Sequence, residues 1–424
     1  MSSLLIADTT FKKIVQELPA RFGEMARELR AFVRVRAVRS PDELLRAVFL
    51  YCGLDYSLRE VAANFTQVGR RLSDEAVRGR LSACEPWLAA MLQEMLPKPE
   101  KEIAQYSNRL ILVDGTCIQA PGPTSSDYRL HLAWDWMQQR VVSMEVTDNR
   151  TSESLDRYEW RAGDVVVADS GYTRPQQLLA VKKKGAEFIV RYAPNRVRML
   201  SETGVHLKIA DELKKHEGER EVTIAVKIDA GNETQEAFLH AFRLSESAAQ
   251  KARRKIRRRS SKDSRPTPKA DTLYLADWMI VLTSFKPEQV SARTIGKLYR
   301  ARWQIELVIK RLKSVLNLDA LRARRGSQLA QVYLLGKSLY ALMIEKRALR
   351  LSRDREVEWR VWRIVADQIR GWITLSDLFE CEINRNVLKV LKERPRKRKR
   401  LRTKIAEIVQ ILSLKPMHLS NLQP

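Results

Sequence analysis

The spacing of apolar positions changes character twice along the chain, and each change predicts a new kind of element. Up to about residue 100 the apolar residues recur at helical intervals. Pro41-Asp42-Glu43 opens a helix that continues through Leu44, Leu45, Val48 and Phe49. Ser57 is placed to cap the helix beginning at Leu58, with Glu60 as the capping-box acid. Beyond Gly69, Ser73-Asp74-Glu75 starts another capped helix through Leu81. Two short helices around a Gly-containing turn predict a helix-turn-helix that offers Arg78 and Arg80 to DNA; a plain helical bundle is the alternative. Pro97-Lys98-Pro99 then reads as a linker.

From there the period shortens to that of strands. Arg109-Leu110-Ile111-Leu112-Val113 is a short apolar run of the kind buried on both faces, expected to end at Asp114-Gly115. Tyr128, Leu130, Leu132 and Trp134 alternate with polar or small residues, and a connection at Met137-Gln138-Gln139 leads to Val142, Met144 and Val146, predicting a hairpin. A second buried run, Asp164 to Ala168, delivers Asp169. A helix through Gln177-Leu178-Leu179 and a strand through Phe188-Ile189-Val190 follow. Residues 193–285 read as a β-rich insertion, with strands at Val222 to Ile228, around Phe238 and Phe242, and at Met279 to Leu282. Inside it, residues 251–259 form a basic, partly disordered excursion, expected to meet phosphate through Arg253, Arg254, Arg257 and Arg258; a solvated loop is the plainer reading.

Helical spacing then returns. Leu298 to Lys313 lacks Gly and Pro and reads as one helix. Tyr299, Arg302, Glu306 and Lys313 fall within an arc of roughly 60° on the helical wheel, opposite Ala301, Ile305, Val308, Ile309, Leu312, Val315 and Leu316. One face therefore packs while the other presents an acid among cations and an aromatic ring. Standing alone, such a face is ordinarily solvated, with Arg302 and Glu306 as an i,i+4 pair. A long helix through Leu334 to Met343, a further helical region carrying Trp359, Trp362 and Trp372, and a basic block at Arg394 to Arg400 complete the chain.

Charge sharpens this picture. Among 424 residues, 77 Lys and Arg stand against 51 Asp and Glu, a net +26 that favours a polyanionic partner, nucleic acid first among them. No apolar run of about 18 residues predicts a membrane span. The four cysteines are scattered without a Cys-x-x-Cys pair, and the five histidines show no ligand spacing, so neither zinc nor a disulfide framework is indicated. A reduced, cytoplasmic and nucleoid-associated setting is expected.

The acids carry the candidate chemistry. Asp114 and Asp169 follow apolar strands, and ligands of open α/β sheets gather outside the carboxyl ends of strands. With Glu306 they supply hard oxygen donors suited to two Mg²⁺ ions, for which Mn²⁺ is expected to substitute. Asp127, Asp135 and Asp148 lie nearer turns and rank lower. A phosphate-cradling Gly loop is lacking, which argues against a nucleoside triphosphatase.

With these residues in place, the sequence resembles the DDE insertion-sequence transposases of the IS-four group. Tyr299, Arg302, Glu306 and Lys313 meet the signature Tyr-x2-Arg-x3-Glu-x6-Lys, Asp114-Gly115 ends an apolar run, and Asp169 precedes Gly171-Tyr172. Ser170 departs from the basic residue often found there. The resemblance implies a ribonuclease-H-like mixed α/β sheet core over residues 105–192 and 286–347, with the β-rich insertion at 193–285 between its two parts. A helical DNA-binding domain at 1–100 and a helical region with a basic tail at 348–424 flank it. It implies catalytic, metal-holding Asp114, Asp169 and Glu306, and DNA contacts by Tyr299, Arg302 and Lys313. The activity implied is binding of terminal inverted repeats in double-stranded DNA, metal-dependent cleavage, and transfer of the freed 3′ end into target DNA by a homodimer pairing two ends. A related nuclease without strand transfer, or a domesticated DNA-binding protein, are the alternatives.

Overall fold

The computed structural model describes residues 11–67, 72–96, 109–119, 127–194, 196–262, 266–352 and 359–374. The turn at Gly69, the linker at Pro97 to Pro99 and the basic block at Arg394 to Arg400 lie outside them.

Helical residues 11–15 are followed by α1 (Phe22–Glu28), α2 (Pro41–Val48, prolonged by a π-helical turn, Phe49–Gly53), α3 (Leu58–Gln67), α4 (Asp74–Ser82) and α5 (Glu85–Met95). Their starts follow from local chemistry. Ser57 Oγ accepts from the Glu60 N–H at 3.2 Å while the Ser57 N–H donates to Glu60 Oε2 at 2.6 Å, a reciprocal capping box. Ser73 Oγ likewise accepts from the Ala76 N–H at 3.2 Å. Strands β1 (Leu110–Ile118), β2 (Tyr128–Asp135), β3 (Arg140–Asp148) and β4 (Val165–Ala168) follow, then helix α6 (Pro175–Lys183) and strand β5 (Glu187–Arg191). The insertion contributes β6 (Met199–Leu200), α7 (Ile209–Lys214), β7 (Glu221–Asp229), β8 (Thr234–Arg243), α8 (Glu246–Lys262), α9 (Ala270–Leu275) and β9 (Trp278–Thr283). Helices α10 (Ala292–Ala301), α11 (Trp303–Leu316), α12 (Gln328–Ser352) and α13 (Trp359–Thr374) end the described chain.

The strands form one mixed α/β sheet in the order β3-β2-β1-β4-β5-β9-β8-β7-β6. Strands β1, β4 and β5 are mutually parallel, whereas β5–β9, β9–β8 and β8–β7 are antiparallel. The insertion is therefore continuous with the sheet: β9 hydrogen-bonds β5 directly, pairing Val190 with Leu282.

Contacts divide the described residues into two compact units, one within 11–96, 115–152 and 305–374, the other within 109–114 and 153–304. In the first, α12 is the axis, buried from Leu329 through Ile344 along most of its length. The backbone approaches it closely at Gly336, where an added Cβ would meet Cys52 Sγ at 2.6 Å. Fully buried Lys337 donates to Asp55 and, at 2.6 Å, to the Tyr333 hydroxyl, so the buried ammonium is paired rather than stranded. Both oxygens of Glu345 accept the Val141 N–H at 3.0 Å, tying α12 to the start of β3. In the second unit, Asp164 at the entry to β4 holds Arg109 ahead of β1 through two N–H···O bonds at 2.8 and 2.6 Å. The β4 and β5 interior is Val166, Val167, Ala168, Phe188, Ile189 and Val190.

Three expectations are corrected here. β1 does not end at Asp114; the strand runs on through Gly115 to Ile118, because the alternating, partly polar residues after Asp114 keep extended pairing. The stretch from Leu298 to Lys313 is two helices, joined at Arg302, which retains right-handed helical angles (φ −49°, ψ −34°). Residues 251–259 are not a disordered loop but the body of α8, whose side facing inward carries Ala249, Ala252 and Ile256.

Candidate active site

The parallel pairing of β1 with β4 positions the two aspartates. Leu110 faces Val165, Ile111 faces Val166 and Leu112 faces Val167. Carried two residues further, the same register brings Asp114 level with Asp169, the residue that follows β4, across a strand spacing of about 4.8 Å. Matched positions of parallel neighbours share a face, so both carboxylates address one side of the sheet. Each is half-buried.

Local structure fixes their orientation. Asp169 leaves β4 in extended conformation and caps the short 3₁₀ turn Ser170–Tyr172, its Oδ1 accepting the Gly171 N–H at 2.6 Å. Gly171 is required by crowding: an added Cβ would lie 2.1 Å from Glu153 Oε2 and 2.9 Å from Asp169 Oδ1. A third carboxylate, Glu153, thus faces the same glycine. Tyr172 is buried below; burial first, then Tyr158 and Glu153, with Asp114 contributing least, push its phenol well above the usual range.

Cations from α10 and its end balance the acids. Arg302 Nη1 stands 3.7 Å from Asp114 Oδ2, with both side chains largely covered. The same guanidinium lies over the Tyr299 ring, 6.0 Å from its centroid. Burial raises the Tyr299 phenol, while Arg302 and Arg191 pull against that rise. Tyr299 is thus buried, not displayed on an open face as its wheel position suggested. Glu306 occupies the first turn of α11, one helical turn beyond Arg302, and Lys313 the last turn; both are half-exposed.

The remaining sequence candidates have definite places. On α4, exposed Arg78 pairs with Glu75 at 3.0 Å and half-buried Arg80 donates to the Arg34 carbonyl at 3.1 Å. Arg253 is tied to Asp277 and, at 2.9 Å, to Glu246, so it is an anchor of α8 rather than a free cation. Arg254, Arg257 and Arg258 are exposed on that helix. The lower-ranked acids have structural work: Asp127 meets Arg325 at 3.1 Å, Asp135 accepts from Met137 and Gln138 N–H in the hairpin turn, and Asp148 accepts from Thr151.

The donor set fits a hard divalent cation. Mg²⁺ is held by one or two carboxylates plus water and substrate phosphate rather than by a dedicated cage. Asp114 and Asp169 could serve as such a pair, and among the described residues no group of three or more His, Cys, Asp or Glu is gathered closely enough to hold a metal by itself.

A family described as "Transposase DDE domain" matches residues 105–342. The chain belongs to the DDE transposases. It is 32% identical over 336 residues to the putative transposase InsL for insertion sequence element IS186A of Escherichia coli (strain K12), covering 77% of this chain and 90% of that protein. It is 33% identical over 337 residues to the transposase for insertion sequence element IS421 of Escherichia coli, with 77% and 90% covered. This DDE transposase is therefore an enzyme acting on DNA, of a family that uses divalent metal ions. Among the described residues no helix is long and apolar enough to cross a membrane.

Sequence reasoning missed Glu153 and Arg191. Glu153 stands in no motif and is brought to Gly171 only by the fold. Arg191 was legible: it follows the apolar run Phe188 to Val190 as Asp169 follows Val165 to Ala168.

Proposed function

We propose that this DDE transposase is of the IS-four group and moves its own element by binding terminal inverted repeats, cutting at their ends and joining the freed 3′ ends to target DNA. Its core would be ribonuclease-H-like, with Asp114, Asp169 and Glu306 as the catalytic carboxylates. The observation that carries the reading is the β1–β4 register, which sets Asp114 opposite Asp169 on one face of the sheet with Arg302 against Asp114.

Two Mg²⁺ ions held by these acids would lower the pKa of the attacking water and stabilise the charge that develops on the leaving oxygen. The residues do the rest. Asp114, carried within β1, and Asp169, held by the Gly171 N–H, would keep their oxygens in place with little reorganisation at the moment of reaction. In the first step the water oxygen bonds to phosphorus, the P–O3′ bond breaks, and the released 3′ oxygen takes a proton. In the second, that 3′ hydroxyl attacks a target phosphate, forming one phosphodiester bond as another breaks. Arg302 grips phosphate with a two-donor fork, Tyr299 limits its swing, and Lys313 supplies a point charge.

The protein's charge and the exposed cations of α8, with Arg78 and Arg80 on α4, support extended contact with duplex DNA, residues 1–100 reading the end and 193–285 adding phosphate contacts. Two copies would pair two ends. The test is incubation with duplexes carrying the DNA that borders the reading frame: end-specific nicking followed by strand transfer is expected. Cutting without joining would favour a nuclease, and binding without cutting a domesticated DNA-binding protein.

A further inference from the structure

Two parallel strands, β4 and β5, end beside the middle of β1, and of the residues lined up there only Asp114 and Asp169 have been given work. β4 pairs with β5 from Val165↔Glu187 to Ala168↔Val190. One residue further, this register sets Arg191 opposite Asp169, just as the β1–β4 register sets Asp114 opposite Asp169 from the other side. The result is a row of Asp114, Asp169 and Arg191 on one face, each about 4.8 Å from the next strand.

Arg191 is unlike the rest of its strand. Glu187 through Val190 are buried, and Arg191 alone is exposed. It also answers to the signature helix: the Tyr299 hydroxyl lies in the field of Arg302, Arg191 and Asp169. Two guanidiniums therefore act on one buried phenol, and they differ in engagement. Arg302 leans on Asp114 at 3.7 Å, whereas Arg191 stands at the open rim of the row. A phosphodiester drawn toward two carboxylates meets like charge. A cation in the same row offsets that repulsion, and a guanidinium does so with two parallel N–H donors matched to two phosphate oxygens.

We propose that Arg191 is a phosphate-binding residue of the active site, donating to the non-bridging oxygens of the scissile phosphodiester of the DNA substrate. This rests on the proposed function above and adds to it a residue outside the four-residue signature. Arg191 orients the phosphorus against the carboxylate row and leaves water activation to the acids.

The experiment measures equilibrium binding in Ca²⁺, so that no turnover is needed. The probe is a duplex spanning the junction between the element's end and flanking DNA. It is used unmodified and with a neutral methylphosphonate at the scissile linkage. Neutralising that linkage should weaken wild-type binding by roughly ten- to a hundredfold, the range for a charge-assisted hydrogen bond. Arg191→Ala and Arg191→Gln should bind the unmodified duplex correspondingly less well and be indifferent to the methylphosphonate, with Arg191→Lys between. Unchanged melting temperatures are expected, because the side chain is exposed. If the Ala variant suffers the same methylphosphonate penalty as wild type, the proposal is overturned, even where that variant nicks slowly. A wild-type chain that prefers the junction duplex no more than a random one fails differently: it removes the proposed recognition of element ends, and the role of Arg191 with it.

Discussion

Arg302 Nη1 lies 3.7 Å from Asp114 Oδ2, joining the turn between two helices to the middle of a strand. A cation so placed partly neutralises a carboxylate proposed to hold a metal, and on arrival of DNA it would have a phosphate to exchange for. Arg302→Ala should therefore permit the first nick and impair the later hairpin or second-strand step, with Tyr299→Ala behaving alike and Lys313→Ala mainly weakening grip on the end. A gel resolving nicked, hairpin and doubly cut products from pre-assembled ends checks this. Equal slowing of every step, or of none, would make the face structural.

Gly171 offers a different test, because its crowding involves flexible carboxylates rather than backbone. In Gly171→Ala, Glu153 and Asp169 must both move away from the new methyl group. The expected outcome is a melting temperature close to wild type with cleavage reduced by about tenfold or more, since small misplacements of reacting groups cost heavily. Wild-type cleavage in this variant would mean that the Asp169 geometry is not demanding.

Gly336→Ala should instead cost stability. The new methyl would press on Cys52 Sγ at 2.6 Å and Cβ at 2.9 Å, within a buried helix packing that has no room to yield. Overpacking of this kind costs about 1–3 kcal/mol. Chemical denaturation that shows no loss of stability would contradict the packing described for α12.

Glu345 sets a pH dependence. Burial pushes its carboxyl up to about 8, against the opposing influence of the Val141 N–H. The folded state therefore holds a proton that the unfolded state releases near the ordinary value of 4.5. This group's contribution to stability is fully present below that value and is lost as pH rises toward 8, with a slope of up to about 1.4 kcal/mol per pH unit. Glu345→Gln keeps an acceptor for Val141 and should flatten the dependence over that window. Denaturation midpoints from pH 5 to 8 that fall equally in both proteins would assign the slope elsewhere.

How much of this was written in the sequence depends on whether the cause is local. Capping chemistry at Ser57 and Ser73, the hairpin between Trp134 and Val141, and the apolar runs of β4 and β5 were legible because neighbours in sequence produce them. The continuation of β1 past Asp114 was not, since Asp-Gly favours a turn locally and only sheet pairing keeps it extended. The helical state of residues 251–259 was obscured by like charges, which repel along a helix; Ala249 and Ile256 on the inner side and the ties of Arg253 to Asp277 and Glu246 hold it in place. Of the candidate site, the strand-borne aspartates could be foreseen from periodicity, while Glu153 reaches Gly171 only through the tertiary fold.

That helix gives a salt prediction. Lys251, Arg254, Lys255, Arg258, Arg259 and Lys262 fall within an arc of roughly 140° on its outer side, so several phosphates can be met at once. Replacing Arg254 and Arg258 with Gln should lower affinity for end DNA and reduce the slope of log affinity against log salt by about two, one for each phosphate no longer neutralised. Arg253→Gln should instead lower helix stability, because that side chain is spent on Asp277 and Glu246. An unchanged salt slope in the double variant would make the outer face merely solvated.

Metal-dependent cleavage of DNA by Asp114, Asp169 and Glu306 is tested most directly by single-turnover nicking of an end-bearing duplex in Mg²⁺, with binding of the same duplex followed in parallel. Asp114→Ala, Asp169→Ala and Glu306→Gln should each abolish nicking while binding the end nearly as tightly as wild type. A Glu306→Gln or Asp169→Ala variant that nicks at the wild-type rate would contradict the catalytic role proposed for these acids.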